Sequence, residues 1–518
     1  MMKTAPVRLN RNHLLALLLF IWAFVLYLLA MSTDYSHDSD VIRLALDVEG
    51  YSRGISYPFI HQGWVPFGRF IWNACRLLGY QGGSFIPMQV FSALAGALSV
   101  SMLFLFLRAL KAGSLLSFLV AACYSVSWYL LSFSSDNRFY TLGLLLSILI
   151  IWLLLLPDPA RRSAVVTAGV LGGLLLLSHI GFYYILPVAV VIVLMRGTPL
   201  KIRVGNLLIF ISMTGLIFFS GTLLATNSLR ETLSFFNPVE LHRIWSSLNQ
   251  LLQGYFIHYR NIPLSVLATY FWGIDLAYFP GSAPFSALYK AAVVLICLFA
   301  GLGFVLRARE MFRDSESRVI WVSLALWFLI SLISGLHLSP LGNPNACILL
   351  SIYLAFGVMA RPMAQNRFIR PVLYVLLILF FSGMLMRGII SPTTGKLDRH
   401  PDPDWPEARK LLSLTKMTGE DVLMGSQEIF GAHVAYLSKC RFIDISRRQM
   451  WQPSGISHFS YIEGTLYSML GENRRVFLLV YDDEPSKKIF DEISHSFIMK
   501  KYNEFIYQVL DKEKPGAD

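Results

Sequence analysis

The sequence predicts an α-helical polytopic membrane protein of about eleven transmembrane helices, followed by a C-terminal soluble α/β domain. Three observations predict it. Of 518 residues, 55% are hydrophobic and 15% charged, whereas soluble domains carry roughly 25% charged residues and need them to cover a water-facing surface. Long apolar runs, near the roughly 20 residues that cross about 30 Å of hydrocarbon, recur up to residue 390. From residue 391 the chain changes character: it holds 17 Lys plus Arg and 19 Asp plus Glu, and short apolar runs alternate with helical patterns. The expected domains are therefore 1–390 in the membrane and 391–518 outside it.

The apolar runs lie near 14–31, 86–107, 114–134, 139–157, 163–178, 182–195, 206–226, 291–306, 319–336, 346–360 and 371–386, the fifth and sixth being short. The first follows Lys3, Arg8 and Arg11, lacks a small-x-small cleavage site and is read as a retained anchor. Orientation follows from Lys and Arg, which accumulate in short cytoplasmic loops. One alternate set of connections holds seventeen of them: Lys3, Arg8, Arg11; Arg108, Lys111; Arg161, Arg162; Arg196, Lys201, Arg203; Arg307, Arg309, Arg313, Arg318; and Arg361, Arg367, Arg370. The short loops of the other set hold only Arg43, Arg53, Arg69, Arg76 and Arg138. The N-terminus is expected in the cytoplasm of a cell bounded by an inner membrane. The loops at 32–85 and 227–290 and the tail are expected on the extracytoplasmic, periplasmic side.

Charge also excludes functions. The net charge of +12 is spread between apolar runs rather than gathered on one polar face, which excludes nucleic acid as a main partner. Cys75, Cys123, Cys297, Cys347 and Cys440 form no CxxC or Cys/His cluster, so neither a zinc site nor a disulfide framework is indicated. No Asp, Glu, Lys or Arg falls within the eleven runs. Ion-coupled transport needs ionisable groups near the midplane, so the chemistry is sought at the outer surface.

The first outer loop reads Asp34-Tyr-Ser-His-Asp38-Ser-Asp40-Val-Ile-Arg43-Leu-Ala-Leu-Asp47-Val-Glu49. Carboxylates beside an anionic membrane cost energy unless they bind a cation or accept a proton. Asp47 and Glu49 are read as solvated. Asp38 and Asp40 precede an amphipathic stretch (Ile42, Leu44, Ala45, Leu46) expected to lie along the membrane interface and hold them at headgroup depth. Further along, His61 is the polar element of an aromatic, Gly- and Pro-rich segment in which Trp64 and Phe67 read as an interfacial aromatic belt. The next outer loop carries Asp136-Asn-Arg138-Phe-Tyr140: either a local ion pair, or an Arg that grips a phosphate beside an Asp facing acceptor or metal. His179 ends the fifth run, and the long loop contributes His258-Tyr-Arg260, compatible with phosphate binding or with none.

Together these pieces resemble the polytopic GT-C glycosyltransferases that use polyprenyl-phosphate sugars, the superfamily of protein O-mannosyltransferases and lipid A aminoarabinose transferases. Asp38-Ser39-Asp40-Val-Ile-Arg-Leu44-Ala45-Leu46 is similar to the first-loop Asp-Ser-x-x-apolar-x-Leu-Ala-Leu of bacterial members, whose Asp is catalytic. His61-Gln-Gly-Trp-Val-Pro66 keeps part of a following His-Pro-Pro-Gly-like stretch. Asp136-Asn-Arg138-Phe-Tyr140 is similar to the second-loop acidic/Arg-x-Tyr element, and Ser178-His179 to the Thr-His or Thr-Lys that ends the fifth span. Near the last spans the chain departs from the family's Arg-Tyr element and has Gly342-Asn-Pro-Asn345. Trp405-Pro-Glu-Ala408 and Asp421-Val-Leu-Met424 are similar to the start of the family's outer domain.

The resemblance implies transfer of a sugar from a polyprenyl-phosphate donor to a hydroxyl on a lipid, glycan or protein acceptor, with membrane lipids as surroundings. A departing phosphate is stable as an anion, so a base and a cation suffice. Asp38 is the expected general base and Asp136 assists. Asp40, His61, Arg138, His179 and Arg260 line the substrate, with Arg138 and Arg260 on the lipid phosphate. A single displacement inverts the anomeric centre. Metal dependence is open: Asp38, Asp40 and Asp136 offer a divalent cation (Mg²⁺ or Mn²⁺) enough oxygens when waters complete the shell. The alternatives are a lipid or polysaccharide transporter or flippase, which the charge-free runs disfavour, and a polysaccharide polymerase or ligase relying on outer Arg and His.

Overall fold

The structure, a computed structural model, describes residues 11–31, 39–51, 63–136, 140–155, 162–179, 182–183, 185–226, 318–327, 345–389, 404–425, 428–444, 458–480 and 484–512, with a few helical residues between 295 and 305. Up to residue 226 the helices are α1 (Arg11–Leu29), α2 (Ser39–Glu49), α3 (Trp64–Leu77), α4 (Phe85–Ala109), α5 (Ser114–Ser125), α6 (Trp128–Ser134), α7 (Tyr140–Leu155), α8 (Arg162–Ser178), α9 (Ile185–Met195) and α10 (Leu200–Thr226). The chain divides into two compact units: residues 1–31, 59–64 and 89–398, and residues 32–58, 65–88 and 399–518.

The first unit is helical. Among the described residues α1, α4 and the stretch Leu200–Leu224 of α10 are long and apolar enough to cross a membrane; α5, α7, α8, α9, Arg318–Trp327, Leu350–Met359 and Ile369–Leu385 are shorter apolar helices. At 11 residues, α9 is about 16 Å long, roughly half the hydrocarbon thickness. α8 and α10 approach closely because α8 presents small residues: a methyl on Gly169 would meet the Phe210 carbonyl oxygen at 2.9 Å, and one on Gly173 the Thr214 carbonyl oxygen at 2.8 Å. That closeness lets the Thr214 hydroxyl donate to the Gly169 carbonyl across the interface (3.1 Å), the small-residue packing expected where lipid supplies no hydrophobic drive.

The single run expected at 114–134 is two helices, α5 and α6, parted at Val126 and Ser127. Carbonyls freed by a break inside a membrane must find donors. The Tyr27 hydroxyl of α1 donates to Ser125 O (3.0 Å), and the Ser127 hydroxyl to Tyr124 O (2.7 Å).

The second unit is a three-layer α/β/α domain. Its five strands, β1 (Val422–Gly425), β2 (Arg441–Asp444), β3 (Val476–Leu479), β4 (Phe497–Lys501) and β5 (Ile506–Lys512), stand in the order β2-β1-β3-β5-β4. β1 pairs parallel with β2 and β3; β5 pairs antiparallel with β3 and β4. β1 and β3 are buried along their whole length, as central strands covered on both faces require. Alternate residues feed two cores. Leu423, Phe477 and Leu479 pack with the helices Asp404–Thr415 and Glu428–Ser438; Val422, Met424, Val476 and Leu478 pack with residues of the helix His458–Gly471 and with Ile493 of Glu484–Ser494. Arg475 forks onto Asp421 (Nε–Oδ1 2.9 Å, Nη2–Oδ2 2.7 Å), tying the residues that open β3 and β1.

The first of these cores corrects the sequence reading. Ile42, Ala45 and Leu46 of α2 are buried within it, beside Phe442 and Phe477, so the amphipathic face of α2 is covered by protein rather than laid on the membrane. An amphipathic stripe reports only that one face is covered. Asp47 and Glu49 are likewise buried rather than solvated: Asp47 is 4% exposed, and the Glu49 side chain 2%. Trp64 is fully buried, with its ring 6.1 Å from that of Phe91, and does not belong to an interfacial belt.

Candidate active site

In the first unit, α6 ends in a turn that buries Asp136 (4% exposed). The turn is held from two sides. Ser135 N–H donates to Leu131 O (3.0 Å), and the Gln89 amide of α4 donates to Ser135 O (3.2 Å). From here a row of rings runs across the end of the bundle: Phe133 to Tyr140 at 4.7 Å, Tyr140 to His179 at 5.2 Å, and His179 to Phe182 at 6.1 Å, the last edge to face. Such spacings are those of favourable aromatic pairs. His179 follows the last turn of α8 and donates its backbone N–H to Leu175 O (3.1 Å), while Phe182 N–H donates back to His179 O (3.1 Å). Desolvation in this setting lowers the imidazole pKa to about 3. His179 is therefore neutral near pH 7: it can offer or accept a hydrogen bond but brings no positive charge to a phosphate.

Gly63 joins the same place. Its N–H donates to Leu177 O at the end of α8 (2.8 Å), and a methyl there would meet Leu177 Cβ at 2.7 Å and Leu177 O at 2.9 Å. Gly63 is thus pinned two residues before His179. Asp136, Tyr140 and His179, singled out from two stretches of sequence, stand on elements gathered around one row of rings. Phe182 and Gly63 were not singled out; the glycine beside the His61 motif was the available signal.

In the second unit, the first-loop residues are carried by α2, which starts at Ser39 and includes Asp40. The C-terminal end of α2 is closed by a Schellman motif: Tyr51 N–H donates to Leu46 O (2.9 Å) and Gly50 N–H to Asp47 O (3.2 Å), with Gly50 at φ +83°. Arg69 of α3 adds bonds to Asp47 O (2.8 Å) and Val48 O (3.2 Å), a cation at the negative end of the helix. Asp38, His61, Arg138 and Arg260 lie outside the described residues, as does the Asp40 side chain. Among the described residues no three His, Cys, Asp or Glu side chains gather as metal ligands. Burial pushes the Cys440 thiol up to about 12, leaving it protonated.

No protein-family model and no curated protein matches the chain. Solved structures do. The chain is similar to the Archaeoglobus fulgidus oligosaccharyltransferase, in its apo form at 12% identity over 92% of this chain and 70% of that one, TM-score 0.54. The same protein complexed with zinc and sulfate matches at 12% identity over 95% and 73%, TM-score 0.51. Lower scores are reached by ArnT of Cupriavidus metallidurans bound to undecaprenyl phosphate (13% identity, 95% of this chain and 97% of that one, TM-score 0.46). The S. cerevisiae protein O-mannosyltransferase complex Pmt1-Pmt2 bound to the sugar donor gives 14% identity over 44% of this chain, TM-score 0.36, so the match spans 35% of the length of that chain. At such identities the likeness is one of fold, and the archaeal structures carry it: this chain has the fold of the Archaeoglobus fulgidus oligosaccharyltransferase.

Proposed function

We propose that this protein is an integral-membrane glycosyltransferase that moves a sugar from a polyprenyl-phosphate donor to an acceptor hydroxyl on the outer face of the inner membrane, with inversion. One observation carries the reading: in a chain whose likeness to the archaeal oligosaccharyltransferase covers 92% of its length, Ser39-Asp40, next after Asp38 in the sequence, open a helix, α2, that is capped and buried at its other end. The charge-free apolar runs agree with this reading, since the reacting groups then belong to the outer loops.

In this mechanism Asp38 takes the proton of the acceptor hydroxyl as the oxygen attacks the anomeric carbon from the face opposite the phosphate. The C–O bond to the lipid phosphate breaks, and the electron pair leaves with the phosphate. Arg138 and Arg260 hold the charge that develops there. Asp136 orients the acceptor, and Asp40 and His61 line the sugar. Neutral His179 serves as a hydrogen-bond partner, fixed between the Tyr140 and Phe182 rings. A divalent cation is compatible with the carboxylates Asp38, Asp40 and Asp136, and the archaeal oligosaccharyltransferase has been solved in complex with zinc and sulfate. The N-terminus faces the cytoplasm and residues 391–518 the periplasm.

The test is Asp38→Asn in proteoliposomes supplied with polyprenyl-phosphate hexoses. Folded, inserted protein without sugar transfer is expected. Wild-type turnover by this variant would remove Asp38 from the role of base, and retained activity with loss only in Arg138→Ala would favour a polymerase or ligase.

A further inference from the structure

The end of α2 remote from Asp38 meets a buried polar node that the mechanism above does not use. The Glu49 carboxylate is 2% exposed and every oxygen is engaged: Oε2 pairs with Lys439 Nζ at 2.8 Å, and Oε1 accepts from Ser84 N–H (2.7 Å) and the Ser84 hydroxyl (3.1 Å). That hydroxyl also lies within donating distance of Ala45 O, one turn back along α2 (3.2 Å). The Lys439 ammonium lies over the Tyr436 and Tyr51 rings at 3.9 and 5.5 Å. Backbone closes the remaining side: a methyl on Gly83 would come within 2.8 Å of Oε1. Lys439 itself sits at φ +59°, a left-handed conformation that disfavours an ordinary side chain. A buried carboxylate is costly unless paired, and a hydrophobic residue would cover this helix end as well. The node spends a charge pair and a strained lysine to join the first outer loop to a domain 390 residues later in the chain.

We propose that Glu49 is a positioning residue: through Lys439 and Ser84 it locks α2 onto the C-terminal α/β domain, and so fixes the helix that begins at Ser39 and includes Asp40. The catalytic consequence rests on the function proposed above. The α/β domain then serves the reaction by holding α2 in place.

The experiment compares wild type, Glu49→Gln, Lys439→Asn and Lys439→Arg as full chains in proteoliposomes. Glutamine keeps an acceptor for Ser84 while losing the charge. Asparagine removes the ammonium and tolerates the left-handed backbone, so the domain keeps its fold; arginine keeps the pair. Hydrogen–deuterium exchange of peptide 39–51 is read first, against β1 and β3 as internal controls. Faster exchange confined to 39–51 is expected in Glu49→Gln and Lys439→Asn, with wild-type exchange in Lys439→Arg. Turnover is followed as release of decaprenyl phosphate from the decaprenyl-phosphate hexose that wild type consumes fastest. Displacement of a reacting group by about 1 Å costs on the order of 100-fold, so kcat should fall by up to that factor in the two loosened variants while KM for the donor stays as in wild type. Unchanged exchange in both variants would overturn the docking role, and faster exchange with unchanged kcat would overturn the positioning role. If Asp38→Asn turns over like wild type, the transfer reading falls and the catalytic half of the proposal with it; exchange alone still decides whether Glu49 holds α2.

Discussion

Substituting Gly63 by alanine tests the construction of the candidate site at a point where one backbone segment meets another. The new Cβ would stand 2.7 Å from Leu177 Cβ and 2.9 Å from Leu177 O, where ordinary contacts are 3.4 to 4 Å. Cβ and the carbonyl oxygen are fixed by the backbone, so no rotamer change at Leu177 relieves the clash. Either the last turn of α8 or the segment at 63 must retreat by at least roughly half an ångström, and the 2.8 Å bond from Gly63 N–H to Leu177 O is stretched or lost. Overpacking of this kind costs about 1–3 kcal/mol, and the lost bond about 0.5–1.5 kcal/mol. We therefore expect a destabilisation of about 2–4 kcal/mol, a fall of about 2–4 °C in the thermal midpoint of the detergent-solubilised protein. Gly205→Ala is the control, because nothing lies within 4 Å of a methyl there and alanine is the better helix former. Turnover should fall with stability, since the displaced end of α8 leads directly into His179. Equal midpoints for Gly63→Ala and wild type would refute the close approach, and with it the gathering of these elements around one row of rings.

Further outcomes follow from the same contacts. Because the folded-state pKa of His179 is depressed from 6.5 to about 3, the unfolded chain takes up a proton first, and stability is lost as pH falls below 6.5. From pH 7 to pH 5 this amounts to about 2 kcal/mol, readable as a falling midpoint that His179→Asn makes flatter. Gly50→Ala places a side chain at φ +83° and should cost about 1 kcal/mol; faster exchange of α2 amides, with the sheet unaffected, is the expected signature. Arg475→Ala leaves the buried Asp421 carboxylate with its Thr418 partners alone. Since the Arg475 side chain is 42% exposed, the loss should be about 1–2 kcal/mol, measured as a lower denaturation midpoint of the α/β domain within the full chain.

Several elements were legible because their cause is local. Apolar runs of helical length announce α1, α4, α7 and α10, and the tail's runs at Asp421–Met424, Arg441–Ile445, Arg475–Tyr481 and Phe505–Leu510 fall on β1, β2, β3 and β5. β4, Phe-Ile-Met-Lys-Lys, is an edge strand covered on one side, and its lysines mute the apolar signal. The break between α5 and α6 carries neither Gly nor Pro, and a hydroxyl from α1 makes it affordable. The amphipathic stripe of α2 was equally legible, but its covering was not: lipid and a protein core ask for the same pattern. What settles it is Lys439, and no local rule couples residues 49 and 439. The row of rings divides the same way. Asp136, Tyr140 and His179 stand out by residue type at the ends of apolar runs, whereas Gly63 and Phe182 join them through packing that only the folded chain brings about.

The proposed function requires this chain to cleave a polyprenyl-phosphate sugar at its anomeric carbon with Asp38 as base. The most direct measurement is mass spectrometry of proteoliposomes holding the purified full chain, polyprenyl-phosphate hexoses and an envelope lipid extract as acceptor. Wild type should release free polyprenyl phosphate in step with a glycosylated product of inverted configuration, and Asp38→Asn, folded and inserted alike, should release neither. Release of lipid phosphate by Asp38→Asn at the wild-type rate, or intact donors throughout with wild type, would contradict it.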